Sequence, residues 1–245
     1  MDEIEQELRG YGPCLVIGEI AGLTAVVLVG VWMGHFRGGF AWTSNPGLMF
    51  NWYPLLMTLA LIYFYGNGML VYRNFRGEAK KRLKILHAGL LLGSLGLGAL
   101  GLKTVFDSHN LAIPPVPNLY SLHSWIGITV VVLFAAQWLS GLVIYLYPGL
   151  ASHLRVSWLP THTFMGTLIF VLSIATALLG ISEKIFFSLN KTKKYQNRDV
   201  EGVIANWFGL SLVAFGIFVV YLVRHPRYKR LTKPDEELLL YENTN

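Results

Sequence analysis

The chain has 245 residues, 53% of them apolar and only 14% charged, with a formal net charge of +6. Soluble domains carry roughly a quarter charged residues, so this composition excludes an ordinary soluble domain and points to a polytopic membrane protein with no room for a separate soluble part. Cys14 is the only cysteine, which excludes an intrachain disulfide framework, a cysteine-ligated iron–sulfur cluster and a C-x-x-C-H attachment motif.

In chain order, residues 1–12 open with the acidic stretch MDEIEQELRG. Six apolar windows follow at 13–34, 51–72, 85–106, 121–147, 161–182 and 202–223, each long enough to cross roughly 30 Å of hydrocarbon as a helix. The first window is a full span in length and lacks the basic leader of a cleaved signal, so it is read as retained. The predicted fold is therefore all-α, with six transmembrane helices over 13–224 and a polar tail at 225–245.

Orientation follows from the excess of Lys and Arg in cytosolic loops. Thirteen of the 20 Lys and Arg residues fall in the N-terminus, the tail and the loops after spans two and four, which predicts both termini in the cytosol. The sequon Asn190-Lys191-Thr192 then lies in the last non-cytosolic loop as a glycosylation site. The net charge belongs to topology and calls for a lipid bilayer, with no nucleic acid partner.

Polar residues at membrane depth are where function is usually found. His87 and His162 stand at the starts of two outward-running spans, near the cytosolic face, and His123 starts an inward-running span near the opposite face. Span two also runs inward, and at the matching depth it carries Tyr53. Two histidines facing across a helical bundle are the expected axial ligands of a b-type haem. Gly127 and Gly166 follow His123 and His162 by one turn and are read as clearing space for a flat macrocycle. Zinc is the competing metal, but a structural zinc site wants four clustered ligands and these residues span both leaflets. The glycines of span three (Gly89, Gly93, Gly96, Gly98, Gly101) serve either tight helix packing or the close approach of a flat ligand. Glu19, two turns into span one, marks either a proton path or a hydrogen-bonded structural carboxylate. No convincing internal repeat is seen.

The stretches FNWYP, GMLVYRNFRGEAKKRLKILHAG, VFDSHN, NLYSLHSWIG, LPTHTFMG and ATALLGISEKIFFSL resemble the cytochrome b561 family of ascorbate-dependent transmembrane electron carriers, along roughly residues 13–230. The resemblance implies a four-helix haem-bearing core from spans two to five, a homodimer, and two haems b on opposite sides. It implies a function as an oxidoreductase, passing electrons from cytosolic ascorbate to monodehydroascorbate or ferric iron outside. His87 and His162 carry over as ligands of the cytosolic haem, and His123 as one ligand of the non-cytosolic haem.

Tyr53 departs from the pattern, since the family has histidine between Trp52 and Pro54. Its phenolate could bind ferric iron and lower that haem's potential; it could stand unligated beside a haem held by His123 alone; the site could lack haem; or Tyr53 could be an interfacial belt aromatic. The alternative function is accordingly a one-haem or non-redox membrane protein that keeps the fold.

Ascorbate is an anion, so its site needs cations near the haem edge. By resemblance, Arg73, Lys80, Lys84 and Arg155 form the cytosolic ascorbate pocket; each could instead simply obey the positive-inside rule. Phe106, His109, Asn110, Asn118 and Tyr120 resemble the outer substrate site, and His35 matches a histidine used near the iron acceptor of ferric reductases. Leu239-Leu240 after an acidic residue reads as a sorting signal, placing the protein in endosomal, lysosomal or secretory-vesicle membranes.

Overall fold

The computed structural model describes residues 8–189 and 195–231; Asn190 and Leu239-Leu240 lie outside the described residues. Among the described residues there is no strand, and six helices are long and apolar enough to cross a membrane. They are α1 (Tyr11–Phe36), α2 (Pro46–Asn74), α3 (Lys80–Asn110), α4 (Leu122–Tyr145), α5 (Ser152–Leu189) and α6 (Val200–Arg224). Runs rich in Val and Ile, weak helix formers in water, wind as helices because hydrocarbon offers the backbone no other hydrogen-bond partner.

Most helix ends fall within a few residues of the predicted windows, but α3 and α5 run well beyond theirs. Hydropathy reads only the part of a helix dissolved in hydrocarbon. With 31 residues at about 1.5 Å each, α3 outlasts a core of roughly 30 Å, and its first turns, carrying Lys80 and Lys84, stand clear of it. In the same way α5 begins at Ser152, ahead of an internal Pro160, and so takes Arg155 onto the helix. By contrast α4 stops at Tyr145, just ahead of Pro148, whose ring cannot continue a helix.

The least regular span is α2. It opens with one turn, Pro46–Met49, capped by the Asn45 side chain accepting from the Leu48 N–H at 3.1 Å. It resumes at Trp52 and winds as a π-helix over Thr58–Phe64. The wider turn shifts the backbone register, a common device at functional sites, and the Ala60 carbonyl takes the Ser94 hydroxyl at 2.7 Å.

Helices α2 to α5 form the central four-helix core, and α1 and α6 pack along one another on its flank. At mid-depth, Tyr65, Phe134 and Phe170 are buried, with the Tyr65 ring tilted 4.6 Å from Phe134 and edge-on 5.5 Å from Phe170. The Tyr65 hydroxyl donates to the Gly166 carbonyl at 2.8 Å, so this polar tip is satisfied inside the core. Glu201, buried on α6, accepts from Trp32 Nε1 at 2.9 Å and pairs with Arg37 at 3.2 Å, pinning the end of α1. Glu19 accepts from the Tyr63 hydroxyl at 3.0 Å, tying α1 to α2.

Candidate functional site

At one end of the core, α3 presents His87 and α5 presents His162 with ring centres 6.4 Å apart and planes at 68°. His87 Nδ1 lies 2.8 Å from the Gly68 carbonyl, which makes Nδ1–H the donor and leaves Nε2 to take a metal. The Gln137 side chain backs the second ring, its Nε2 3.0 Å from His162 Nδ1 and donating to the His162 carbonyl at 2.7 Å. Two imidazoles bonded at about 2 Å to opposite sides of one metal bring their ring centres roughly 6 Å apart, so this pair fits an axially ligated iron.

Beside it lies a cavity of about 340 Å³ lined by Lys80, Lys81, Lys84, Arg155, Tyr145 and the loop residues Leu146, Pro148 and Gly149. Lys84 Nζ donates to the Tyr145 carbonyl at 2.8 Å, and the Tyr145 ring stands 5.2 Å from that of His162. One residue thus joins the basic cavity to the histidine pair, and its buried hydroxyl has no hydrogen-bond partner among the described residues. Three of the four expected ascorbate residues meet here. Arg73 does not line this cavity: its guanidinium donates to the Val223 carbonyl on α6, on the flank where Arg76 covers the Tyr11 ring.

At the other end, His123 of α4 faces Tyr53 of α2 with ring centres 6.3 Å apart and planes at 78°. The Tyr53 hydroxyl is 3.2 Å from His123 Nε2, and His123 Nδ1 is 2.9 Å from the Thr176 carbonyl. Both ring nitrogens are therefore engaged by protein. An iron between the oxygen and the nitrogen needs two bonds of about 2 Å, a gap of roughly 4 Å, so the pair as placed does not fit a bridging metal. Ring spacing is the same at the two ends; the phenol oxygen reaches beyond its ring, and the imidazole nitrogen lies within it.

Further toward that surface, Phe50 stands 6.0 Å from Tyr53, and His109 stacks on Phe50 at 6.2 Å and 11°. Lys184 Nζ lies 4.0 Å over the Phe50 ring. His109 Nδ1 bonds Asn118 Oδ1 at 2.9 Å, and Asn118 Nδ2 donates to Asn110 Oδ1 at 2.8 Å. The structure so joins His109, Asn110 and Asn118 and adds Phe50 and Lys184, which sequence reasoning missed. Phe106 is half-buried on α3 and Tyr120 is exposed just ahead of α4. His35 sits in the last turn of α1 with its ring on Phe36 at 4.8 Å.

Gly127 and Gly166 do not lie against the rings. An added Cβ at Gly127 or Gly166 would meet Thr176 Cγ2 at 3.4 Å or Gln137 Nε2 at 3.6 Å, with no imidazole involved. The glycines against the rings are Gly141, where a Cβ would lie 3.0 Å from His162 Cε1, and Gly180, where it would lie 2.7 Å from His123 Cε1. Each follows a histidine of its own helix by 18 residues, five turns, and serves the histidine of the neighbouring helix. Gln137 and Thr176 share the same relation at 14 residues. Helices α4 and α5 are thus an antiparallel repeat offset by 39 residues, a signal that was present in the sequence as His-x3-Gly followed by a second glycine. Five turns put the two sites about 27 Å apart along the bundle.

The family model described as eukaryotic cytochrome b561 matches residues 52–188, which takes in Tyr53 and all three site histidines. The transmembrane ascorbate-dependent reductase CYB561 of Sus scrofa is 45% identical over 225 residues, 92% of this chain and 87% of that protein. The Homo sapiens protein of the same name is 44% identical over 225 residues, with the same coverage. The lysosomal membrane ascorbate-dependent ferrireductase CYB561A3 of Homo sapiens is 43% identical over 225 residues, 91% of each chain.

Proposed function

The chain belongs to the eukaryotic cytochrome b561 family, and on that footing we propose that it is an ascorbate-dependent transmembrane oxidoreductase. Electrons enter from ascorbate at the basic end, which faces the cytosol, and leave at the Tyr53 end to monodehydroascorbate or a ferric chelate. The observation that carries this reading is Tyr145, shared between the basic cavity and the His87–His162 pair: an anion held there sits next to the ring edge of His162.

His87 and His162 would hold haem b. When bound, that group would supply a one-electron iron couple. Gly68 and Gln137 fix the two ring orientations, and Gly141 lets His162 lie close to α4. Lys80, Lys84 and Arg155 bind the ascorbate monoanion by charge-assisted hydrogen bonds. The same positive field favours loss of the ring's second proton as its electron departs, and the open cavity passes that proton to water. At the far mouth Lys184, His109, Asn110 and Asn118 offer donors to an anionic acceptor.

The name of the lysosomal membrane relative and the sorting signal favour an endosomal or lysosomal membrane, and the family resemblance favours a homodimer. Purified protein should show a reducible low-spin haem spectrum on addition of ascorbate, and His87→Ala with His162→Ala should abolish that signal. A preparation without haem, or an ascorbate-reducible haem that survives the double substitution, sinks the reading.

A further inference from the structure

We propose that Tyr53 closes the far site against haem, so that each chain carries a single haem b, between His87 and His162. This rests on the haem reading above and adds to it the state of the second site. The Tyr53 hydroxyl donates to His123 Nε2 at 3.2 Å while His123 Nδ1 engages the Thr176 carbonyl. The nitrogen a metal would need is thereby used, and the donor-to-donor gap is shorter than the roughly 4 Å that two bonds of about 2 Å require.

Opening the gap demands that one partner withdraw, and both are backed by packed structure. The two residues ahead of Tyr53 are anchored. Asn51, 2% exposed, donates to the Arg37 carbonyl at 3.0 Å and the Gly39 carbonyl at 2.6 Å. Trp52 Nε1 donates to the Ala41 carbonyl at 3.1 Å, its ring 4.6 Å from Phe40. Pro54 follows and fixes its own φ. Behind the Tyr53 ring lies Phe50, held between Lys184 and His109. On the opposite side the His123 ring abuts α5 at Gly180, where even one added carbon would come within 2.7 Å. Hydrogen-bond satisfaction of a half-buried imidazole and close packing therefore both hold the pair shut.

The consequence is kinetic. An electron delivered at the His87 level has to reach the far mouth, about 27 Å along the bundle, without a second metal, so the outward leg limits turnover.

The test is haem content per chain, by pyridine haemochrome against quantitative protein analysis, in full-length wild-type protein, Tyr53→His and Tyr53→Ala. Wild type is expected to hold one haem. Tyr53→His is expected to double the haem absorbance per chain and add a second low-spin bis-imidazole signal. Tyr53→Ala, which opens the gap without a new ligand, is expected to add a high-spin haem that binds carbon monoxide. In vesicles loaded with ascorbate, Tyr53→His should reduce external ferricyanide severalfold faster than wild type. Two haems in the wild-type chain overturn this inference while leaving the functional reading intact, as does a content of one haem in wild type and both variants. A wild-type chain with no haem overturns the functional reading as well.

Discussion

At the His87 end, two imidazoles face each other with Gly68 and Gln137 behind them; at the His123 end, one imidazole faces a phenol with Thr176 behind the histidine. Ring centres are 6.4 Å apart in the first pair and 6.3 Å in the second, so the helices hold the same frame at both ends. What differs is how far the donor atom projects from its ring. A scaffold that keeps ring positions constant converts one change of side chain into a change of gap, and the gap decides whether a metal fits. The mouths differ in the same spirit: one gathers Lys80, Lys84 and Arg155 round a cavity, and the other sets a single lysine over an aromatic ring.

The comparison is broken most severely through the two close glycines. Gly141→Ala pushes a methyl group to 3.0 Å from His162 Cε1, and Gly180→Ala does the same at 2.7 Å from His123. If only the His87 end holds haem, Gly141→Ala should weaken haem retention by about 10–100-fold, the usual cost of disturbing a ligand's support, measured as haem loss to apomyoglobin. Gly180→Ala should leave haem content unchanged despite the tighter contact. Equal losses in both would show that the ends are alike in occupancy.

Next in size is the basic mouth. Lys84→Gln removes a cation that is anchored to the Tyr145 carbonyl at 2.8 Å. Hydrogen bonds to charged groups are worth about 1.5–3 kcal/mol, so the KM for ascorbate should rise at least roughly tenfold, with haem content unaltered. Stopped-flow reduction at varied ascorbate concentration checks this, and an unchanged KM would remove Lys84 from the site.

The smallest effect is expected at the far mouth, where half-buried Lys184 over Phe50 shares its field with the Arg37–Glu201 pair. Lys184→Gln should slow reduction of ferricyanide by a few-fold and leave hexaammineruthenium(III), a cation, unaffected or faster. Parallel slowing of both acceptors would mean that Lys184 only supports Phe50.

Much of the site was legible before any coordinates. His87, His123, His162 and Tyr53 lie at span starts, and direction alternates from span to span, so which of them share an end of the bundle could be worked out from position alone. Lys80, Lys84 and Arg155 stood at helical intervals ahead of the two histidines, and the early starts of α3 and α5 bring them to one cavity. Arg73, carried over by the resemblance alone, turns elsewhere, because its partner is a carbonyl on α6, 150 residues away. Gly127 and Gly166 stand one turn after the histidines of their own helices. The close contacts are instead made between helices, by Gly141 and Gly180, since an imidazole leans on the neighbouring helix and not on its own. Phe50 and Lys184 gave no local signal; they meet only where α2 and α5 converge.

The six spans, the level of each histidine and the charge of each end were determined by the sequence by itself, because hydropathy and helical rise are local and accumulate residue by residue. The helix behind each ring, the glycines that admit the imidazoles, and the 3.2 Å between Tyr53 and His123 were decided only by the tertiary structure. Those are distances between helices, set by how side chains on different segments share a fixed volume, and a fraction of an ångström there separates a hydrogen bond from a metal site.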